Sequence, residues 1–382
     1  MSQVSTDILR VFGEGRGEGL FAKSPSPQLV PKNLSIRADS MIVRADGGTR
    51  IGAGHIMRCL ALALEWQTTG GKAVFVSHCD SDALKARIQD AGIELISPSA
   101  SYPDASDLAL MQRLARDLAP ADTWVILDGY HFDISFQRAL KDIGFRLLVI
   151  DDTAHQTGYI ADIILNQNFG AESLVYKCET NTRLLLGTRY TLLRPEFKQW
   201  HGREREFPSR VRNILVTMGA ADPDNATCCV LRALKSLDLP DTQVKVLAGP
   251  AFSHFEELSL MSRNDPGAFK TVRNPFNVSD LMAWADVAIT AGGSTLWELA
   301  FMRIPAAVVI LADNQEPGTK ALADDGALYV LGKAQDPELS ARLGDFLRNT
   351  DRLREFARVS GSLVDGYGAR RVIEAMERSE KT

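Results

Sequence analysis

Met41-Ile42-Val43-Arg44-Ala45-Asp46, followed at residues 51–58 by Ile-Gly-Ala-Gly-His-Ile-Met-Arg, decides how this chain is read. A short apolar run leaves through a charged exit, breaks into glycine and resumes with helical spacing, which is a strand–turn–helix unit. Such a junction leaves the first N–H groups of the helix pointing into an open crevice. His55 sits there. The positive potential at a helix N-terminus disfavours an imidazolium, so His55 is expected to be a neutral base near pH 7. Gly52 and Gly54 would equally serve a tight turn with no chemistry, leaving His55 a first-turn polar residue.

A second unit of this kind lies in the other half of the chain. Asp286-Val287-Ala288-Ile289-Thr290 reads as a buried strand entering Ala291-Gly292-Gly293-Ser294-Thr295, and Leu296-Trp297-Glu298-Leu299-Ala300 opens a helix. Backbone amides and two hydroxyls at this turn suit a diphosphate. Glu298, four residues after Ser294, is placed to accept hydrogen bonds from a ribose diol. The plainer alternative is a helix start with Ser294 or Thr295 as N-cap and Glu298 as an early-turn acid.

At 382 residues the chain has room for about two or three domains of ~150 residues. Its 45% hydrophobic and 24% charged residues place it among ordinary globular proteins. A formal charge of −5 argues against a general nucleic-acid or anionic-membrane surface, so an anionic ligand must be met by local groups. Cys59, Cys79, Cys178, Cys228 and Cys229 are odd in number and lack metal-ligand spacing, so reduced thiols, a cytoplasmic protein and no metal are expected. No apolar run reaches the ~18 residues of a membrane span. Residues 1–40, with Gly13-Glu14-Gly15-Arg16-Gly17 and Ser24-Pro25-Ser26-Pro27 and no apolar signal-peptide core, read as a flexible extension, or as an upstream start before a natural beginning at Met41.

From Met41 onward, short β-rich runs alternate with helical patterns. Strands are predicted at 41–45, 73–77, 93–96, 124–127, 147–150 and 163–165, and the helix after His55 carries Ile56, Leu60, Ala63 and Leu64 on one stripe. Strands too apolar to have a wet face imply a parallel sheet covered on both sides. The pattern breaks around 195–212, where His201-Gly202-Arg203-Glu204-Arg205-Glu206-Phe207-Pro208 reads as a linker. It then restarts with strands at 213–218, 244–247, 269–272, 287–290, 307–310 and 328–331. The expected organisation is an N-terminal catalytic α/β domain at 41–195, a linker at 196–212 and a C-terminal nucleotide-binding α/β domain at 213–382. Ligands of such folds bind at the carboxyl ends of the strands, here in a cleft between two sheets.

These residues carry a resemblance. Arg44-Ala45-Asp46 and Ile51-Gly52-x-Gly54-His55-x-x-Arg58-Cys59 look like the opening of the UDP-2,4-diacetamido-2,4,6-trideoxy-β-L-altropyranose hydrolases of pseudaminic acid biosynthesis. Asp128-Gly129-Tyr130, Ile150-Asp151-Asp152, Leu165-Asn166-Gln167 and the run from Gly187 to Phe197 fit the same family. So do Val216-Thr217-Met218-Gly219, Asp222-Pro223-x-Asn225, Ala291-Gly292-Gly293-Ser294-Thr295-x-Trp297-Glu298 and Ala312-Asp313-Asn314-Gln315. The similarity spans about residues 41–375. It implies a GT-B-like fold of two Rossmann-like domains, shared with the glycosyltransferase that makes lipid II, and a hydrolase that needs no acceptor, cofactor or metal.

What the resemblance implies is specific. His55 matches the proposed catalytic residue. Gly219, Asn225, Gly292, Gly293, Ser294, Thr295 and Glu298 fall on the UDP side, and Gly54, Arg58, Tyr130, Asn166, Asn314 and Gln315 on the sugar side. Asp46 and Asp151 are expected beside His55, orienting the water or the acetamido sugar. UDP-sugar and water are the expected partners of a monomer, with no nucleic acid and no membrane, in a pathway to pseudaminic or a related nonulosonic acid such as serves flagellin glycosylation. Two departures stand out. Ala220-Ala221 replaces a glycine-rich turn, and Arg303 stands where a glycine is usual; a left-handed arginine there costs roughly 1–2 kcal/mol.

Other candidates carry less. Asp151-Asp152 could bind a sugar hydroxyl or, with Asp128, a divalent ion, or else form a solvated turn. His78-x-Asp80-x-Asp82 reads as a polar loop. His131, His155, His201 and His254 read as surface residues, Trp297 as core, and Arg58, Arg189 and Arg194 as groups able to offset phosphate charge. A GT-B glycosyltransferase using a UDP-N-acetyl sugar, and a nucleotide-sugar binding module without catalysis, are the alternatives to the hydrolase.

Overall fold

The computed structural model describes residues 40–48, 51–219, 222–249, 252–273, 275 and 277–378. Residues 1–39 of the expected N-terminal extension and the Ala220-Ala221 substitution lie outside the described residues, while Ser40 opens the first strand. The first half of the chain runs β1 (Ser40–Ala45), α1 (Gly54–Thr68), β2 (Lys72–Val76), α2 (Asp82–Asp90), β3 (Glu94–Ile96), α3 (Ala105–Asp117), β4 (Thr123–Asp128), α4 (Ile134–Ile143), β5 (Arg146–Ile150), β6 (Ile163–Asn166) and β7 (Arg183–Leu186). Its seven strands lie in the order β3-β2-β1-β4-β5-β6-β7. Every pairing is parallel.

All six residues of β1 and of β4 are buried, as a central strand covered on both faces must be. On α1, Ile56, Leu60 and Ala63 are buried against the sheet, and Leu64 packs partly buried beside them. β7 was not predicted. It is a four-residue edge strand with Arg183 and Leu184 exposed, and only the short 3-10 helix Ala171–Ser173 lies between it and β6, so it lacks both the buried apolar run and the preceding α-helix that marked most of the other strands.

The second half runs β8 (Asn213–Thr217), α5 (Ala226–Lys235), β9 (Gln243–Ala248), α6 (Phe255–Asn264), β10 (Lys270–Arg273), α7 (Val278–Trp284), β11 (Val287–Ala291), α8 (Thr295–Phe301), β12 (Ala306–Val309), α9 (Glu316–Asp324), β13 (Tyr329–Gly332), α10 (Leu339–Arg348), α11 (Thr350–Ser360) and α12 (Gly368–Arg378). The strand order β10-β9-β8-β11-β12-β13 is again wholly parallel. The six strands expected here all form. Among the described residues no helix is long and apolar enough to cross a membrane.

Two features revise the expected boundaries. The first is α12, whose Ala369, Val372, Ile373 and Met376 follow i, i+3, i+4, i+7 spacing and enter the core of the first sheet beside Leu185 and Leu192. The last helix therefore crosses back, and the segment placed with the second domain is split between both. The second is the linker. Pro195–Trp200 forms a 3-10 helix, Phe197 is buried in a core cluster of the second sheet, and Trp200 Nε1 donates to Ser279 Oγ at 2.9 Å. Further ties join the halves: Arg87 of α2 donates to the carbonyl of Pro275, and Lys198 Nζ lies 2.5 Å from Glu65 Oε2.

Arg303 does adopt the left-handed conformation, with φ of 54°. Gly361 makes room for its stem, since a Cβ there would lie 2.6 Å from Arg303 Cγ. Gly368 is tighter still: a Cβ would stand 2.2 Å from the carbonyl oxygen and 2.5 Å from the nitrogen of Thr191, which is rigid backbone. Gly368→Ala is expected to loosen α12 from the first domain and to destabilise the protein by about 1–3 kcal/mol. Urea unfolding followed by circular dichroism checks this, and an unchanged midpoint would show that α12 contributes nothing there.

Candidate active site

The carboxyl ends of the two sheets face one cleft of about 590 Å3, lined by both domains. Gly54, His55, Arg58, Tyr130 and Asn166 line it from the first domain, and Gly292, Gly293, Ser294 and Gln315 from the second. The histidine and the glycine turn expected to oppose each other therefore share one cavity.

His55 is the second residue of α1, with its side chain 13% exposed. Its Nδ1 lies 2.7 Å from Asp128 Oδ1, at the C-terminal end of β4. Asp128 pairs in register with Ala45 of β1, so the adjacent central strands bring the acid to the turn that carries the base. The bond orients the imidazole and leaves Nε2 as its free nitrogen. The helix terminus, expected to set the ionisation of His55, is not the dominant influence. The charge of Asp128 is the largest influence on the ring; it outweighs burial and raises the pKa above the ordinary 6.5.

Arg58, one turn further along α1, is clamped between two carboxylates. Its Nε and Nη2 donate to Asp128 at 2.6 and 2.7 Å, and its Nη1 and Nη2 to Asp152 at 2.8 and 3.0 Å. Burial disfavours the ionised form of Asp128, yet Arg58 and then His55 overcome it and hold the carboxyl well below the usual range. The divalent ion considered for Asp128 with Asp151-Asp152 meets this geometry directly, because the cation between Asp128 and Asp152 is the guanidinium of Arg58. Asp152 also accepts from Tyr130 Oη at 3.0 Å and from Asn168 Nδ2 at 2.7 Å. Burial and then Asp152 push the Tyr130 phenol upward, so it remains a donor.

Asp46 and Asp151, expected beside His55, do not line the cleft. Asp46 is 1% exposed and bound by Arg44, His131, Ser101 and the amide of His78. Asp151 accepts from the amides of Thr153 and Ala154 and from Tyr159 Oη, and pairs with His155 at 2.9 Å. Successive residues leaving a strand point to opposite sides, so Asp152 reaches the cleft and Asp151 fastens the loop behind it. His131 and His155, read as surface residues, are thus partners of buried acids.

The UDP-side residues divide similarly. Gly292 lies so close to α9 that a Cβ would stand 2.8 Å from Thr319 Oγ1. That hydroxyl is buried on the cleft wall with no hydrogen-bond partner among the described residues. Gln315 Oε1 accepts from the amide of Leu311 at 3.1 Å, and the side chain of Asn314 lies outside the described residues. Trp297 lines the cleft while packing in the second core. Gly219, Asn225, Thr295 and Glu298 stand off the cleft wall. Gly219 has φ of 84°, a conformation suited to glycine. Asn225 Nδ2 bonds Glu257 at 2.5 Å, and Asp222 occupies the Ala226 and Thr227 amides at the start of α5. Glu298 is held by Arg194 in a two-bond pair at 2.8 and 2.9 Å, so its carboxylate is engaged rather than free for a ribose. Burial raises its pKa against the pull of Arg194.

Asn168 is a site group that the sequence reading does not contain, and Asp128 and Asp152, read there as candidate ion ligands, are instead the partners of His55 and Arg58. Asp128 had a signal, since Val125-Ile126-Leu127-Asp128 is an apolar strand ending in an acid at its carboxyl end. Asn168 had none.

Residues 213–361 match the Glycosyltransferase family 28 C-terminal domain. The uncharacterized protein MJ1062 of Methanocaldococcus jannaschii is 31% identical over 281 residues, which cover 71% of this chain but only 55% of that protein's length. The spore coat polysaccharide biosynthesis protein SpsG of Bacillus subtilis is 25% identical over 344 residues, 87% of this chain and 96% of that one. The UDP-2,4-diacetamido-2,4,6-trideoxy-β-L-altropyranose hydrolase of Campylobacter jejuni is 22% identical over 297 residues, covering 75% and 97%. Among solved structures, MurG of Acinetobacter baumannii superposes with a TM-score of 0.62 at 17% identity over 89% of this chain and 99% of its own. MnaA of S. aureus, solved with UDP, gives 0.61 at 12% identity over 89% and 95%. The fold is GT-B-like, and relatives at 22–25% identity carry names of a sugar-nucleotide hydrolase and of polysaccharide biosynthesis.

The raised pKa of His55 fixes the sign of two pH dependences. The His55–Asp128 ion pair stabilises the fold fully below the unfolded pKa near 6.5, and that contribution is lost as pH rises through the folded value. A base at this position works only when neutral, so kcat/KM is expected to rise with pH through an inflection above 6.5. In Asp128→Asn the largest raising influence is gone, and the inflection should move down. A pH–rate profile that kept its inflection would remove Asp128 from the control of His55.

Proposed function

We infer that the protein is a UDP-sugar hydrolase, in which His55 activates water to attack the anomeric carbon of a UDP-diacetamido-trideoxy sugar. One observation carries this reading: an imidazole fixed by a buried carboxylate shares a cleft of one-ligand size with a glycine turn. The names of relatives at 22–25% identity support the substrate class.

The chemistry follows from the groups present. UDP is a good leaving group, so the main needs are to position water, accept its proton and stabilise charge on the departing diphosphate. His55 Nε2 takes the proton as the water oxygen bonds to C1 and the bond from C1 to phosphate oxygen breaks. The imidazolium that forms is stabilised by Asp128, whose partner Arg58 keeps it ionised. The turn from Gly292 to Ser294, with the unpartnered Thr319 hydroxyl beside it, is the region assigned to the diphosphate. The product class is that required for pseudaminic acid or a related nonulosonic acid.

The match of 213–361 to a glycosyltransferase domain favours a second reading, transfer of the sugar to an acceptor. Incubation with UDP-diacetamido sugars alone separates the two, because only the hydrolase releases UDP and free sugar at a catalytic rate. A binding module without catalysis would release none. In the hydrolase, His55→Asn should bind UDP nearly as well as the unaltered protein while kcat falls by about 10²–10⁴. Wild-type turnover in that variant, followed by NMR, would exclude His55 as the base. Glu298→Ala should cost stability before it tests ribose binding, since it leaves Arg194 buried without its principal partner, a loss of about 3 kcal/mol. Thermal unfolding beside UDP titration separates these, and an unchanged unfolding midpoint would show that the pair carries no stability.

A further inference from the structure

We propose that the loop Asn168–Leu174 makes water the nucleophile, by closing the side of the cleft through which a larger hydroxyl compound would reach the base. This rests on the hydrolase reading and adds a specificity determinant to it. The loop follows β6, and six of its seven residues, Asn168 to Ala171, Ser173 and Leu174, line the same cleft as His55.

It is pinned at both walls. On the first domain, Asn168 Nδ2 donates to Asp152 Oδ1 at 2.7 Å and its amide to Asn166 Oδ1 at 3.0 Å. Asp152 in turn holds Arg58, whose Nη2 lies 3.3 Å from His55 Nδ1, so Asn168 is linked to the base through three contacts. Across the cleft, Phe169 packs against the core cluster of the second domain that contains Leu296 and Trp297. Further along, Glu172 fills the space over Gly187, where a Cβ would lie 2.0 Å from Glu172 Oε1. A loop fastened in these ways does not swing aside for an acceptor.

The nucleophile must reach C1 from the wall that carries His55, because the diphosphate is assigned to the other wall. With the loop in place, its residues occupy cleft wall that an acceptor would need. With it loosened, an alcohol can take that position: its oxygen bonds to C1, the bond from C1 to phosphate oxygen breaks, UDP leaves with the electron pair, and the hydroxyl proton passes to His55. An alkyl glycoside forms in place of free sugar.

The test is a partition measurement. Wild type, Asn168→Ala and Phe169→Ala are incubated with UDP-2,4-diacetamido-2,4,6-trideoxy-β-L-altropyranose in a fixed methanol–water mixture, and methyl glycoside and free sugar are counted by NMR. The ratio does not depend on how fast a variant turns over. Wild type should give methyl glycoside well below the methanol share of the solvent, and each variant should raise the ratio by about tenfold. Folded variants, verified by thermal unfolding, that release UDP at the wild-type ratio would overturn the proposal while leaving the hydrolase reading intact. So would a wild-type ratio already equal to that of the solvent. No UDP release by wild type would overturn the hydrolase reading and this proposal together.

Discussion

The guanidinium of Arg58, held between Asp128 and Asp152, is the interaction on which the site depends. Burial alone would drive both carboxyls toward their neutral forms and leave His55 with a weak partner. The arginine keeps them ionised. One of those carboxylates then orients the imidazole, and the other ties down Tyr130 and Asn168. With His55 neutral, these four groups sum to one negative charge, so a proton arriving at His55 restores balance. That is a property useful in a base, and it is set by neighbours from β4 and β5 rather than by the helix terminus on which His55 sits.

The cleft exists because the two sheets are held with their strand ends facing. That arrangement is fastened at several points away from the chemistry. Arg194 and Glu298 pair between the connecting segment and α8, Lys198 reaches Glu65 of α1, Phe197 enters the second core, and α12 returns to the first. Each is a contact between residues remote in sequence. Pairs such as Arg194–Glu298 cost desolvation and gain little net stability, but breaking one leaves a buried charge exposed to nothing. Their role is to specify geometry. The Asn168–Leu174 loop extends the same principle into the cleft, fixed on one side by an amide on a carboxylate and on the other by an aromatic ring in the opposite core.

Much of this was legible in the chain. Apolar runs alternating with helical spacing mark every strand except β7, and the carboxyl-end rule puts His55 and Gly292 on a common cleft. The site was legible only in part. Asp46, Asp128, Asp151 and Asp152 all stand at strand ends and look alike in sequence. Which of them meets the base depends on strand register and on the side to which each residue points, and only neighbouring strands settle that. Glu298 and Asn225 show the same limit, since their spacing from a glycine turn is local while their partners Arg194 and Glu257 are not. His131 shows it too, since nothing near it in sequence announces the buried Asp46 beside it, whereas His155 stays exposed and meets an acid, Asp151, only four residues away.

Local regularities are set by the order of residues itself: where strands begin, which helix faces are apolar, where only glycine fits, and hence two parallel sheets and the position of the candidate base. Those follow from backbone sterics and from the periodicity of burial, which act over a few residues. Tertiary structure alone decided the ionisation of His55, the choice of Asp128 over Asp46 and Asp151, the return of α12 and the closure of the cleft by the loop after β6. The physical reason is that charge–charge energies and packing fall off with distance in space, and folding makes neighbours of groups that the chain keeps tens of residues apart.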